Sequence, residues 1–315
     1  TEVIKIVISL YITKDSNPWI VSDLLGCCIN MPIEFGNRIV EKIKSENWIE
    51  ELDHFLLQYA YLDLLKKLIS ATKIDEANEL FKMLLQPKSI QKQTANFGNI
   101  KSYFSDYEYQ NFIEAINDAS PEDAGIYAQT LLRIYYDTNK IYFEKNKGKG
   151  FFGSSEEIND YDFYVSSIKG LSLDTIGHDD IREMLLTLIR NLVLSHLEFS
   201  YKQKKEVKVV FDSILSLISQ EKELFSIKKL KMYVYTKYPD IFIEEIKDSI
   251  LNNFKDLEFS YEHAVLVGNH FSQLSQVDQS QYIEMIWQEN RLKDCPDILQ
   301  QWQNRKFSQI KKYLP

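Results

Sequence analysis

At 315 residues the chain exceeds one ordinary compact core and is expected to form two units or one extended stack. Hydrophobic residues make up 44% of it, yet Gly and Pro number only 10 and 7, too few for the frequent turns of a sheet-rich fold, so the balance points to helices. The net charge of −9 argues against a dedicated nucleic-acid binder, whose phosphate contacts need a basic field, although it leaves room for a local basic patch.

The start, Thr1 to Ile12, is apolar but interrupted by Lys5. It is too short to span a membrane and lacks the charged start and cleavage site of a signal peptide. With no initiator Met, the chain is expected to be a processed product or a piece of a larger protein. Helix starts follow: Asn17-Pro18, then Ser120-Pro121-Glu122-Asp123, each with Pro at a first helical position. Capping-box patterns occur at Asn47 and Glu50, Ser105 and Glu108, Ser154 and Glu157, and Asp278 and Gln281. Apolar residues recur with helical spacing over 32–45, 48–71, 75–86, 100–117 and 121–144. The run Ile181, Leu185, Leu188, Leu192, widened by Met184, Leu186, Ile189 and Val193, predicts a helix buried on several sides. Further helices are expected over 204–219, 223–237, 240–255, 259–274, 279–290 and 296–313.

Residues 147–153 interrupt this pattern with a Gly/Lys-rich stretch, expected to be a mobile loop between helical halves 1–146 and 154–315. A weaker break falls at Gly170–Asp180. The expected fold is all-α, with stacked helical hairpins forming an irregular α-solenoid.

Tyr61, Leu64, Leu65 and Leu68, followed by Ala77 and Phe81, resemble a tetratricopeptide repeat. That resemblance implies a hairpin in which Ala77 permits close helix approach and Phe81 fills the groove, with Leu65 standing where the family has Gly. Leu197-Glu198-Phe199-Ser200-Tyr201 recurs as Leu257-Glu258-Phe259-Ser260-Tyr261, loose support for stacked units of tetratricopeptide-like or HEAT-like helices. Arg190-Asn191-Leu192-Val193-Leu194-Ser195-His196 resembles the Arg-Asn…His motif of HEPN ribonucleases, all-α domains that cleave RNA without metal. The resemblance implies that His196 moves a proton from a ribose hydroxyl while Arg190 steadies the phosphate, with Asn191 as the polar residue between them. Six positions along a regular helix separate the two onto different faces, so this chemistry needs a bend or an early helix end. The alternative is a capped or solvated Arg and a satisfied His on a core helix.

Gly148-Lys149-Gly150-Phe151-Phe152-Gly153 spells GxGxxG, but a helical stretch precedes it where a dinucleotide site needs a strand, so a basic loop is the better reading. His54, His178, His263 and His270 lack the carboxylates or thiols to complete a metal set, and HExxH is absent. Asp160, Asp162, Asp179 and Asp180 read as caps and turns. Cys27, Cys28 and Cys295 form no disulfide framework and fit buried reduced thiols in a cytosolic protein.

Two basic clusters, Lys202/Lys204/Lys205/Lys208 and Lys228/Lys229/Lys231/Lys237, have Tyr201, Tyr233, Tyr235 and Tyr238 nearby and suit RNA or an acidic partner; solvated helix faces are the alternative. The sequence therefore predicts a cytoplasmic helical-repeat interaction, scaffold or sensor module, with no cofactor, metal or membrane, and a protein or peptide partner on a concave surface. The alternative is the HEPN-like ribonuclease, of toxin or phage-defence type as the family implies.

Overall fold

The computed structural model describes residues 17–51, 54–88, 103–104, 106–146, 181–219, 223–252, 261–289, 293 and 295–313. These residues contain fourteen α-helices and no strand: α1 (Pro18–Ile29), α2 (Glu34–Ser45), α3 (Trp48–Glu51), α4 (His54–Ser70), α5 (Ile74–Leu85), α6 (Asp106–Asn117), α7 (Ala124–Asn146), α8 (Ile181–Lys202), α9 (Val207–Leu215), α10 (Phe225–Lys237), α11 (Ile243–Asn252), α12 (Tyr261–His270), α13 (Gln276–Trp287) and α14 (Pro296–Ile310). The fold is all-α, as the helical spacing of apolar residues predicts. No described helix is long and apolar enough to cross a membrane.

The helices divide into two units, α1–α9 and α10–α14. The expected 147–153 boundary, with its GxGxxG, lies outside the described residues, and the helices flanking it, α7 and α8, belong to the same unit. His178, the acidic pairs Asp160/Asp162 and Asp179/Asp180, the Ser105 and Ser154 caps and the second copy of the pentapeptide except Tyr261 also lie outside them.

In the first unit the α4–α5 hairpin buries all six residues that carry the tetratricopeptide resemblance: Tyr61, Leu64, Leu65, Leu68, Ala77 and Phe81. The Phe81 ring meets Tyr127 of α7 edge-on with centroids 6.1 Å apart, and Tyr61 meets Phe104 in the same way at 6.2 Å. α2 crosses so near that a Cβ on Gly36 would sit 2.9 Å from Leu68 Cδ2. Glycine at this point permits the approach. α5 packs on α4, α6 and α7, and α8 packs on α6, α7 and α9. Much of the unit's packing thus joins helices adjacent or next but one along the chain.

The second unit repeats that pattern. α10 packs on α11 and α12, α12 on α11 and α14, and α13 on α11 and α14. Ile227, Leu230, Val234, Ile246, Ile250, Leu266, Tyr282 and Ile286 fill its core.

Local chemistry sets the helix ends. The Asn17 side chain accepts the Trp19 amide at 3.0 Å, with Pro18 opening α1. Ser120 accepts the Asp123 amide at 3.2 Å and donates its hydroxyl to the Asp123 carboxylate at 2.7 Å. Ser275 and Asp278 repeat this arrangement at 3.2 and 2.7 Å, so the cap of α13 is Ser275, three residues before the expected Asp278. With Gly scarce, other residues take left-handed backbone at helix ends: Asn47, Thr72 and Lys204, at φ of 52°, 53° and 57°. Thr72 and Lys204 each sit in a Schellman turn. The Lys73 and Thr72 amides reach the Leu68 and Ile69 carbonyls, both at 2.9 Å; the Lys205 and Lys204 amides reach Ser200 and Tyr201, at 2.9 and 3.0 Å.

Candidate functional site

α8 runs without interruption from Ile181 to Lys202 and carries Arg190, Asn191 and His196. It does not end between them. Six residues of regular helix separate Arg190 from His196 by about 9 Å along the axis and about 120° around it. Arg190 is buried, and its Nε and Nη2 donate to the Asn191 Oδ1 at 3.0 and 2.9 Å. His196 turns to α7: its Nδ1–H donates to the Pro121 carbonyl at 2.9 Å, and its ring lies across Gly125. The structure therefore brings Arg190 and Asn191 together and holds His196 at a different contact.

The first lysine cluster occupies the corner after α8. Lys202 pairs with Glu198 at 2.7 Å, one turn earlier on the same helix, and Lys205 lies 5.6 Å above the Phe199 ring. Lys202, Lys204, Lys205 and Lys208 are all exposed, as is Tyr201. The second cluster separates by face. Lys229 is only 3% exposed and stands 4.0 Å from the buried Glu262 of α12, so it belongs to the core rather than to a binding surface. Lys237 lies 5.4 Å from the centre of the half-buried Tyr233 ring.

Lys228, Lys231 and Tyr235 share one stripe of α10 at spacings of three and four, and they line a cleft of about 350 Å³ with α11. Its other walls are Glu223, just before α10, and Glu244, Glu245, Asp248 and Ser249 of α11. The lysines thus face four carboxylates. Lys231 is tied to Glu223 at 2.5 Å, and Asn252 donates to Asp248. Tyr235 is buried against Phe242, ring centroids 4.9 Å apart, which fixes the cleft's aromatic wall. Lys228, Lys231 and Tyr235 of the expected basic patch line this cleft, Lys229, Tyr233 and Lys237 do not, and the sequence pointed to none of its α11 residues. The available signal was the pairing of Glu244 with Asp248, and of Glu245 with Ser249, one turn apart on the next predicted helix.

In the core of the second unit, burial and then the charge of Lys306 push His263 down to about 3, which keeps it neutral; its Nε2 meets the Ile250 carbonyl at 3.3 Å and its ring stacks on Tyr282. His270 contacts Gln273 through Nδ1 at 3.1 Å. Among the described residues no three His, Cys, Asp or Glu side chains gather as a metal site. Cys27 and Cys295 are free and exposed, which corrects the expectation of buried thiols: Cys27 lies on the outer face of α1 and Cys295 precedes α14. Comparison with protein-family models, with curated proteins and with solved structures gives no match.

Proposed function

We propose that the protein is a helical-repeat interaction module, a scaffold or sensor part whose partner is another protein. The observation that carries this reading is the cleft between α10 and α11, a concave, charge-lined surface on a helical hairpin. A cleft of about 350 Å³ holds one or two side chains of a partner, the scale at which a peptide segment is read. Helices packed on near neighbours in sequence support the repeat-like part of the proposal, since stacked hairpins bury one side and present the other. Exposed Trp19, Tyr59, Tyr201 and Trp287 add the large side chains that interfaces favour. Exposed free thiols suit a reducing compartment, and we place the protein in the cytoplasm.

The test is recovery of the intact protein from its native cells under mild conditions, with the bound species identified and its stoichiometry measured. A defined protein partner at fixed ratio is expected. A partner-free monomer that turns over a substrate would overturn the proposal.

A further inference from the structure

Resting on that reading but on a different surface, we propose that the outer face of α14 docks an acidic segment of the partner protein, with the exposed Trp287 ring taking a large apolar side chain of that segment. Charge is the first observation. The chain carries −9 overall, yet the stretch from Ile298 to Pro315 holds Arg305, Lys306, Lys311 and Lys312 and no Asp or Glu. Lys306 is buried and belongs to the core. Arg305, Lys311 and Lys312 are exposed, and none of them forms an ion pair with a described carboxylate; Lys312 stands 4.7 Å from the centre of the Tyr313 ring. By contrast, Lys231 and Lys247 of the same unit are paired with Glu223 and Asp278, at 2.5 and 3.0 Å. The helix dipole favours lysines in a last turn, but it falls off before Arg305 and does not require a surface free of acids.

Placement is the second observation. Side chains three and four apart share a helix face, which sets Asn304, Phe307 and Lys311 in one row and Arg305, Ser308 and Lys312 in the next. Right-handed backbone at Lys311 carries this spacing into the turn Lys311–Tyr313. That turn is held in place, since the Tyr313 hydroxyl donates to the Gly268 carbonyl at 2.9 Å and its ring lies 6.0 Å from Phe271. Phe307 packs against Trp287 of α13 with ring centroids 5.0 Å apart, and Trp287 remains 63% exposed. Glu284, one turn before Trp287, accepts a hydrogen bond from Gln288 at 2.6 Å. A large exposed aromatic thus stands beside cations that lack carboxylates, and Trp with Arg is the combination that dominates binding energy at protein interfaces. A short acidic segment meets this local field alone, whereas a long phosphate backbone also meets the repulsion of the whole chain. A basic segment would leave the three cations worse off, so the face selects against it.

The experiment uses the full chain and a fluorescein-labelled Gly-Ser peptide with a central Phe flanked on each side by two Glu, followed by fluorescence anisotropy. This peptide is expected to bind, more weakly as salt rises. The same peptide with Gln in place of Glu, and a labelled single-stranded RNA, are expected to bind at least tenfold more weakly. Arg305→Glu/Lys311→Glu should weaken the acidic peptide at least tenfold, and Trp287→Ala severalfold. Lys66→Glu/Lys82→Glu, which alters net charge equally on the other unit, should leave binding within twofold. Equal loss in the two double variants, no binding to the unaltered protein, or RNA bound as tightly as the peptide overturns the assignment. Arg305→Gln/Lys311→Gln keeps the test decisive should the reversed-charge variant fold poorly. A partner that co-purifies equally with wild type and with Arg305→Glu/Lys311→Glu would sink this inference while leaving the interaction module standing.

Discussion

The His196 ring lies so close over Gly125 that a Cβ there would come within 2.8 Å of both Cδ2 and Nε2. The ring cannot swing aside without giving up its hydrogen bond to the Pro121 carbonyl. Gly125→Ala is therefore expected to destabilise the protein by about 1 kcal/mol, the cost of that bond exceeding the small helix-propensity gain in a first turn. In a His196→Ala background the same change should be neutral or stabilising. A double-mutant cycle by urea denaturation measures the coupling, and additive effects would show that His196 is not the obstacle.

Thr72 gives a second expectation, this time of gain. A β-branched residue at positive φ is strained, and the Schellman turn holds it there. Thr72→Gly should raise stability by about 0.5–1 kcal/mol, since relief of strain exceeds the added freedom of the unfolded chain. The midpoint of chemical denaturation reads this directly, and a lower midpoint would contradict the assignment.

At the start of α13, Ser275→Ala removes the acceptor for the Asp278 amide and should cost about 1 kcal/mol. Hydrogen bonds from Ser275 and from Lys247 hold the Asp278 carboxyl below its ordinary range. Its contribution is therefore present above the unfolded-state value near 3.8 and is lost as pH falls through the lower folded value. Asp278→Asn should flatten the acid limb of the stability profile, and an unchanged limb would count against the pairing.

His263 supplies the clearest pH dependence. Folded it titrates near 3 and unfolded near 6.5, so the unfolded chain takes up a proton that the native state refuses. Stability should be full above 6.5 and decline by up to about 1.4 kcal/mol per pH unit below it. His263→Phe, which keeps a ring against Tyr282, should remove that part of the slope between pH 6.5 and 5. Denaturation curves at several pH values compare the two proteins, and parallel profiles would refute the buried neutral imidazole.

Much of this architecture is legible in the sequence because apolar residues on a helix announce their face. Tyr61, Leu64, Leu65, Leu68, Ala77 and Phe81 are all buried as their spacing predicts. Helix ends are harder to read. Without Gly at the end of α4 or α8, nothing marks Thr72 or Lys204 as the left-handed residue, and the closing hydrogen bonds are made by backbone atoms common to every residue type. The cleft was half legible for a related reason. Lys228, Lys231 and Tyr235 share a face on one helix, but their acidic counterparts belong to the next, and only folding of the hairpin reveals that the two stripes meet. Lys229 shows the reverse: adjacent to Lys228, it points into the core, a 100° turn that a run of lysines in the sequence conceals.

Packing between helices that follow closely along the chain has a kinetic consequence. Such contacts close short loops, so little entropy is spent before burial begins to repay it. A segment such as α4–α5 can collapse as soon as both of its helices exist, and α6 and α7 can then add to it. Emerging residue by residue during synthesis, a hairpin such as α4–α5 can begin to pack early, whereas α6 and α7 wait for α8, which follows only at Ile181, to cover them.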